Sequence, residues 1–325
     1  MGYNNCLHGL VILIGVAAVS CTAEHSVQEP SEQLMTYSFL LNGKGTRASL
    51  DETSYKMRWD GGDEIDIWSG STTDSLRKCV FVTRDGGINN AYFTYTGPSM
   101  STKVYFGFYP SALSSSTSVH FNVPVDGSIR QGLPDDASHL KDYQAMYSDK
   151  IERQAESNEL TKLQFHHLTS LIILKVHNEH SEPVICKSVQ LAAADGSDIF
   201  TSSAVYEAGS NNPSAVLSPY RSASSALKLS ESGFRVSPAS MIKCFLPILP
   251  SGSFMHTRLV FTLSTDGKEY TTTFPEEVSR TIGSFKQSTY YIFNLRLKDN
   301  VVELIHSGIS AWEEGGLGDI TLFPS

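Results

Sequence analysis

Four carboxylates crowd one glycine-rich segment of the sequence: Asp60, Asp63, Glu64 and Asp66, with two glycines between the first two. Carboxylate oxygens around a turn can hold Ca²⁺, but this spacing does not fit an EF-hand loop. The alternative is that Asp60 and the glycines only turn the chain between two strands. The only support for a metal site is that carboxylates are suitable ligands, and this support is weaker than that for a simple turn. We therefore expect neither a metal site nor a cofactor.

Catalytic motifs do not accompany these carboxylates. The sequence has no GxSxG, HExxH or GxGxxG pattern and no Walker loop. His166 and His167 are adjacent, and neighbours in a strand point to opposite faces, so this pair is poorly placed to share a metal ion. We therefore expect no catalytic residues and no enzymatic activity. A glycosidase using paired carboxylates is the enzymatic alternative.

An aromatic segment, Tyr105 to Pro110, allows two interpretations. Its ring faces could stack on sugars, and Trp68, Tyr105 or Tyr109 would then lie on an exposed surface. In a strand, however, Tyr105 and Tyr109 share one side while Phe106 and Phe108 share the other. Strands with aromatic residues on both sides are usually buried, so the pattern favours a core strand.

The elements that would position these residues are β-strands. Alternating, β-branched or aromatic runs are separated by turn residues throughout the chain. Predicted strands are 37–41, 64–68, 78–83, 91–96, 104–109, 119–123, 163–176, 184–192, 241–249, 258–264, 269–274, 289–297 and 301–305. Asp266-Gly267 predicts a hairpin turn, while 208–231 reads as a long surface loop. No amphipathic helix of three turns is evident, and the pattern predicts an all-β fold.

Composition divides the 325 residues into segments. A polar, acidic stretch precedes the first strand, and residues 126–162 are less apolar than their surroundings. We predict a signal peptide over 1–20, a tether over 21–35, and two β-sandwich domains over 36–155 and 156–325. A net charge of −9 with no Lys/Arg-rich run excludes a nucleic-acid partner, because phosphate recognition needs a basic surface.

The first residues indicate export. Leu10 to Val19 is an apolar run of the length of a signal-peptide core and too short to span a bilayer. The segment Ala18-Val19-Ser20-Cys21 resembles a bacterial lipobox, which implies cleavage before Cys21 and lipid attachment to it. Ordinary signal cleavage nearby is the alternative. Cys79, Cys186 and Cys244 then remain, either as buried apolar residues or with one disulfide among them.

Five segments in order resemble the fimbrillin-like lipoproteins of Bacteroidetes. The first is the W-x-x-G-D-x-I pattern carried by Trp59, Gly62 and Asp63. The others are the aromatic strand ending in Tyr109-Pro110, an F-x-H stretch over 165–167 that contains His166, a Y-x-F-x-L strand over 290–297, and a closing I-x-x-W with Trp312. The resemblance covers residues 46 to 312, and within it these five segments run from Trp59 to Trp312.

This resemblance implies two tandem transthyretin-like β-sandwiches in a lipoprotein of the outer membrane and cell surface. It also implies assembly into fimbriae with other fimbrial subunits by strand exchange. An arginine-directed protease would remove an N-terminal strand, and Arg47-Ala48 is the matching position. Leu34 to Leu41 alternates and would be that strand, whose loss exposes a template for strand addition. Otherwise Arg47 is an ordinary exposed loop residue.

Two questions stay open at this level. A stalk subunit donates a strand, but after Trp312 only Ile320 and Leu322 alternate, so a tip or accessory subunit is equally compatible with the sequence. The alternative function is a non-polymerising surface lipoprotein that binds a host protein or glycan ligand.

Overall fold

The computed structural model describes residues 35–42, 49–50, 57–84, 86, 90–111, 118–156, 163–207, 215–217, 221–299 and 301–311. Its elements are strands and one short helix, α1 (Glu276–Ile282). The strands are β1 (Met35–Asn42), β2 (Ser49–Leu50), β3 (Met57–Arg58), β4 (Glu64–Gly70), β5 (Arg77–Thr83), β6 (Asn90–Gly97), β7 (Val104–Tyr109), β8 (Ser118–Asn122), β9 (Asp126–Gln131), β10 (Met146–Ser148), β11 (Ile151–Glu152), β12 (Phe165–His167), β13 (Ser170–Asn178), β14 (Val184–Ala193), β15 (Phe200–Thr201), β16 (Ser203–Glu207), β17 (Ala215–Leu217), β18 (Arg221–Ser222), β19 (Ser224–Leu229), β20 (Phe234–Val236), β21 (Met241–Ile248), β22 (Leu259–Thr265), β23 (Lys268–Thr273), β24 (Thr289–Lys298) and β25 (Val301–Ala311).

The first large sheet has the strand order β1-β6-β5-β4-β7-β10-β12, and β11 also pairs with β7. Strand β4 alternates, with Ile65 and Ile67 on the face that packs into an aromatic core around Trp59. The opposite face contributes Phe106 and Phe108 to a second and larger core. The sheet is therefore covered by apolar packing on both faces, which explains why all of β7 is buried.

Two further sheets form a β-sandwich around the larger core. One has the order β21-β13-β24-β25 and the other β23-β22-β14-β19-β9, with β20 pairing with β14. Alternate residues point into the space between them, such as Ile172 and Leu174 from β13 and Val189 and Leu191 from β14. Strands β13 and β24 are parallel over nine residues and buried, as their continuous apolar runs predict. The remaining small sheets are β17-β16-β8, β15-β18 and β2-β3.

Among the described residues, the outer edge of β21 is covered by side chains and not by another strand. Gln131 is fully buried, and its Nε2 donates to Lys243 O (2.9 Å) while its Oε1 accepts from Phe245 N (3.0 Å). Asp135 Oδ1 accepts from Lys243 N (2.6 Å), and His139 Nε2 lies 2.7 Å from Phe245 O. All four backbone groups of Lys243 and Phe245 are thus satisfied, as buried polar groups require. We call Gln131, Asp135 and His139 the edge cover.

Turn chemistry explains two local boundaries. Asp266 and Gly267 (φ +80°) form the two-residue loop between β22 and β23, where Thr265 pairs with Lys268, and the predicted hairpin is confirmed. Helix α1 begins directly after Pro275, which has no backbone N–H to donate, and ends at Gly283 (φ +65°), whose N–H donates to Ser279 O.

The expected all-β fold class is confirmed, and a strand lies over each predicted strand. Two predictions were wrong. The run 163–176 is interrupted at 168–169 into β12 and β13. The stretch 208–231, expected as a loop, contains β19, which lies between β14 and β9 because Ala226 and Lys228 pair with β9. Two strands of the weakly apolar 126–162 region pair with later strands: β9 pairs with β19, and β10 pairs with β12. The domain boundary at 155 and 156 stays a prediction.

The three cysteines within the described residues, Cys79, Cys186 and Cys244, are buried free thiols. Burial raises the pKa of the Cys186 thiol to about 12 and that of Cys244 well above its usual range. The part of the chain that the structure describes has no helix long and apolar enough to cross a membrane.

Candidate functional site: an edge strand over an aromatic core

Strand β1 forms the edge of the first sheet and pairs only with β6 among the described strands. The antiparallel ladder runs without a break from Met35↔Gly97 to Asn42↔Asn90. On its other side, β6 pairs with β5 at two positions, Val82↔Thr94 and Thr83↔Phe93. Most of the backbone pairing of β6 therefore comes from β1, and the prediction of a strand over 37–41 is confirmed.

Strand β6 is also one wall of the aromatic core. Its residues alternate, with Ala91 and Phe93 buried and Tyr92 exposed. The Phe93 ring packs edge-on against Trp59, with 4.7 Å between ring centroids. Edge-to-face pairs at such separations add to the stabilisation from apolar burial. The strand that pairs with β1 is thus one of the strands that contact Trp59.

Trp59 lies at the centre of this core and is fully buried. Besides Phe93, it contacts Tyr109 of β7 (5.4 Å) and Phe165 of β12 (6.2 Å), both edge-on. The Phe165 ring therefore brings the F-x-H segment to the same core as the W-x-x-G-D segment. Sequence reasoning did not identify Phe93 as a partner, although its alternation with exposed neighbours marks it as core-facing.

The segment after Trp59 is a β-turn that leads into β4. Asp63 N–H donates to Asp60 O (3.1 Å), and Gly62 occupies the third position with φ +94°, which side-chain-bearing residues rarely adopt. The Gly62 N–H donates to Thr83 O (2.8 Å), and Thr83 N–H donates to Asp63 O (3.0 Å). The motif residues Trp59 and Gly62 therefore have structural roles, as an anchor and a turn.

The Asp63 carboxylate links this turn to β7. Its Oδ2 accepts from Asp60 N (2.8 Å), and its Oδ1 accepts from the Tyr109 hydroxyl (3.2 Å). Burial raises the pKa of Asp63 to about 6, and the nearby Asp60 charge adds to this while the two hydrogen bonds oppose it. Burial and the Asp63 charge raise the pKa of Tyr109 above its ordinary value.

The four carboxylates do not converge on one point. Asp66 is fully buried in β4, and its Oδ2 lies 3.3 Å from Lys78 Nζ, whereas Asp60 is an exposed turn residue. Within the described residues, no three His, Cys, Asp or Glu side chains are placed to hold a metal ion together. The arrangement supports turn formation and an ion pair.

His166 faces away from the aromatic core. Its Nε2 lies 3.2 Å from Asp149 Oδ1, and its ring packs near Tyr147 of β10, at 5.4 Å between centroids. Its neighbour His167 is fully buried, so the two rings have different surroundings. His166 therefore connects β12 to the segment that follows β10.

The prediction that 104–109 is a core strand is confirmed, and the alternative, a sugar platform, is wrong for two of its three residues. Tyr105 and Tyr109 are buried, and Trp68 is half-buried against the larger core. Cys21, Arg47, Ala48 and Trp312 lie outside the described residues, so their expected roles stay predictions. The edge cover was also missed by the sequence reasoning, because its three polar residues fall in a stretch that lacks alternation.

Comparisons with known proteins agree with this architecture. The sequence profile of the fimbrillin-like family matches residues 46–312. No curated protein matches the sequence significantly.

Two solved structures share the fold, each with a TM-score of 0.57. One is a candidate cell adhesion protein from Bacteroides uniformis, 13% identical, with 87% of this chain and 100% of that chain covered. The other is a candidate cell adhesion protein from Bacteroides ovatus, 11% identical, with 86% and 98% covered. The family profile covers most of the sequence, including the turn at Trp59 and the strands around it, and this chain belongs to the fimbrillin-like family.

Proposed function

We propose that this chain is a cell-surface fimbrial subunit or fimbria-associated adhesin that assembles by β-strand complementation after proteolysis. The observation that carries the proposal is the pairing of β1, whose eight residues form one edge ladder with β6. Removal of β1 would leave β6 with its two paired residues on the β5 side. Unpaired N–H and C=O groups along β6 would then accept a strand from a second subunit.

Because of the order of features along the chain, a single cut would be enough to separate both β1 and the expected lipid site from the rest of the chain. Cys21, the expected lipid site, precedes β1, and Arg47-Ala48 follows the end of β1 at Asn42. Cleavage between Arg47 and Ala48 would separate both the lipid-bearing residue and β1 from the rest of the chain covalently. Strand β1 would then be held by noncovalent contacts alone, so that a competing strand can replace it. An inserted strand is kinetically stable, because its release breaks many contacts at once.

The experiment uses residues 22–325 and an arginine-specific endopeptidase at limiting concentration. We expect one early cut after Arg47, followed by release of the N-terminal peptide and formation of oligomers that resist SDS. The matched control is Arg47→Lys, which keeps the charge and removes the cleavage site. Intact mass and gel mobility are measured on both chains.

The outcomes separate the candidate roles. SDS-resistant ladders indicate a subunit that both donates and accepts a strand, as in a stalk. A clean cut that lets the chain bind a synthetic β1 peptide (residues 34–42) without oligomers indicates a tip or accessory subunit. Absence of any cut at Arg47 contradicts the proposed activation and favours a non-polymerising surface protein.

A further inference from the structure

A surface cleft of about 730 Å³ lies at one end of the six-stranded sheet, where β14 ends and β22 begins. Three segments line it: Ala194 and Asp195 after β14, the residues from Met255 to Arg258 before β22, and Glu276 and Arg280 on α1. Ligand sites of small molecules commonly have volumes of about 300–1,000 Å³. The cleft shares no residue with β1, β6 or the aromatic core.

Hydrogen bonds hold the three walls in place. Ala194 N–H donates to Arg258 O (2.8 Å), and Asp195 N–H donates to the Oγ1 of the buried Thr257 (3.4 Å). Leu259 N–H donates to Ser279 Oγ (3.0 Å), which ties the start of β22 to α1. Below the loop, Phe254 is buried against Phe285, at 5.0 Å between ring centroids. The cleft is therefore formed before any ligand arrives, and binding need not order these loops.

The charged groups in the cleft are of both signs. Arg280 forms an ion pair with Glu276 one turn away on α1, whereas Arg258 is exposed and has no ion-pair partner among the described residues. Asp195 Oδ1 accepts from Ser197 N (3.0 Å) and Ser197 Oγ (2.6 Å). These bonds lower the pKa of Asp195 to about 2, so it is ionised at neutral pH.

An apolar surface completes the cleft. Met255 is 53% exposed, although most methionines are buried, and its side chain lies over Gly283 at the end of α1. A flexible thioether adapts to irregular apolar surfaces. The cleft thus combines the Arg258 guanidinium, which has no ion-pair partner among the described residues, with carboxylate acceptors and an apolar surface.

We propose that this cleft binds an acidic sugar. The Arg258 guanidinium would donate hydrogen bonds to the sugar carboxylate, and the Asp195 carboxylate would accept hydrogen bonds from the sugar hydroxyl groups. A guanidinium matches a carboxylate with two parallel hydrogen bonds. Met255 provides a surface for the C–H face of the ring. An acidic peptide fits less well, because its several carboxylates would meet Asp195 and Glu276. This inference concerns ligand binding and does not depend on strand exchange.

The test is saturation-transfer NMR with titration on the chain from residue 22 to 325. The probes are methyl β-D-glucuronide and the methyl α-glycoside of N-acetylneuraminic acid. Methyl β-D-glucoside, which lacks the carboxylate of the glucuronide, is the matched neutral ligand, and triglutamate represents an acidic peptide. We expect at least one acidic glycoside to bind with a Kd on the order of 1 mM or below, and the glucoside at least about tenfold more weakly.

Two variants locate the binding. Arg258→Gln should weaken the acidic glycoside about tenfold or more, since it removes the charged donor. Arg235→Gln, at an exposed arginine of β20 that does not line the cleft, should leave the affinity unchanged. Equal unfolding temperatures of the two variants establish that both are folded.

Three results would overturn the proposal: no binding of either acidic glycoside, equal affinity in the two variants, or tighter binding of triglutamate. None of them bears on cleavage at Arg47 or on oligomer formation, so a failure here is distinct from a failure of the proposed assembly.

Discussion

Substitution of Gln131 by methionine tests whether the edge cover stabilises the fold. Methionine has a similar length but neither donates nor accepts a strong hydrogen bond. The change leaves Phe245 N–H and Lys243 O, two backbone groups on the edge of β21, without the partners at 3.0 and 2.9 Å. A buried polar group left unsatisfied costs about 1–3 kcal/mol, so we expect a loss of about 3 kcal/mol in the free energy of unfolding.

Urea-induced equilibrium unfolding followed by fluorescence gives this free energy, and a thermal scan should show a decrease of roughly 6–12 °C in Tm. The matched control is Gln164→Met, at an exposed glutamine whose side chain has no hydrogen bond in the described structure. Gln131→Glu adds a second comparison: it keeps the acceptor for Phe245 N–H but places a carboxylate against Lys243 O. The stability that this variant loses relative to the unmodified chain should be larger at neutral pH than at acidic pH. Equal stability of Gln131→Met and Gln164→Met would refute the role assigned to Gln131.

Three further predictions concern the aromatic core and its turn. Gly107→Ala places a Cβ at 2.8 Å from Phe165 Cζ and 2.9 Å from Ile67 Cδ1, so calorimetry should show a loss of about 1–3 kcal/mol, whereas Gly132→Ala, with open space around the Cβ, should be neutral. Gly62→Ala has room for its Cβ but must adopt φ +94°, so a loss of roughly 1–2 kcal/mol is expected, and a neutral result would contradict the turn assignment. Asp63 binds its proton more tightly when folded, with a pKa of about 6 against 3.8, so stability should fall as the pH rises from about 4 to about 6 and then level off. Asp63→Asn should remove this decline in denaturant titrations across that range, and an unchanged pH profile would count against the pKa shift.

Much of the fold was predictable because most strands carry their own signal. Strand β7 matches the predicted 104–109, and β4 shows the expected alternation around Ile65 and Ile67. The Asp266-Gly267 turn needed only local information, since a positive φ at glycine decides it. These elements depend on residues near one another in sequence.

The missed parts depend on distant partners. Strand β19 has a serine- and alanine-rich sequence with weak strand preference, and it is ordered by pairing with β14 and β9 on either side. Gln131 reaches Lys243 and Phe245 more than a hundred positions away, which no local pattern indicates. The site was partly foreseeable: the W-x-x-G-D pattern identified the turn, but only the tertiary structure shows that Phe93, Tyr109 and Phe165 meet around Trp59.

The edge cover also has a consequence for the assembly by strand exchange proposed above. A chain that joins others by backbone pairing grows into a linear polymer when few of its edges are available, and into branched aggregates when many are. At Lys243 and Phe245 an incoming strand would have to displace the side chains of Gln131, Asp135 and His139, all of which are buried or part-buried. Under the proposed strand exchange, the β21 edge would therefore not compete for incoming strands, and growth would favour filaments over networks.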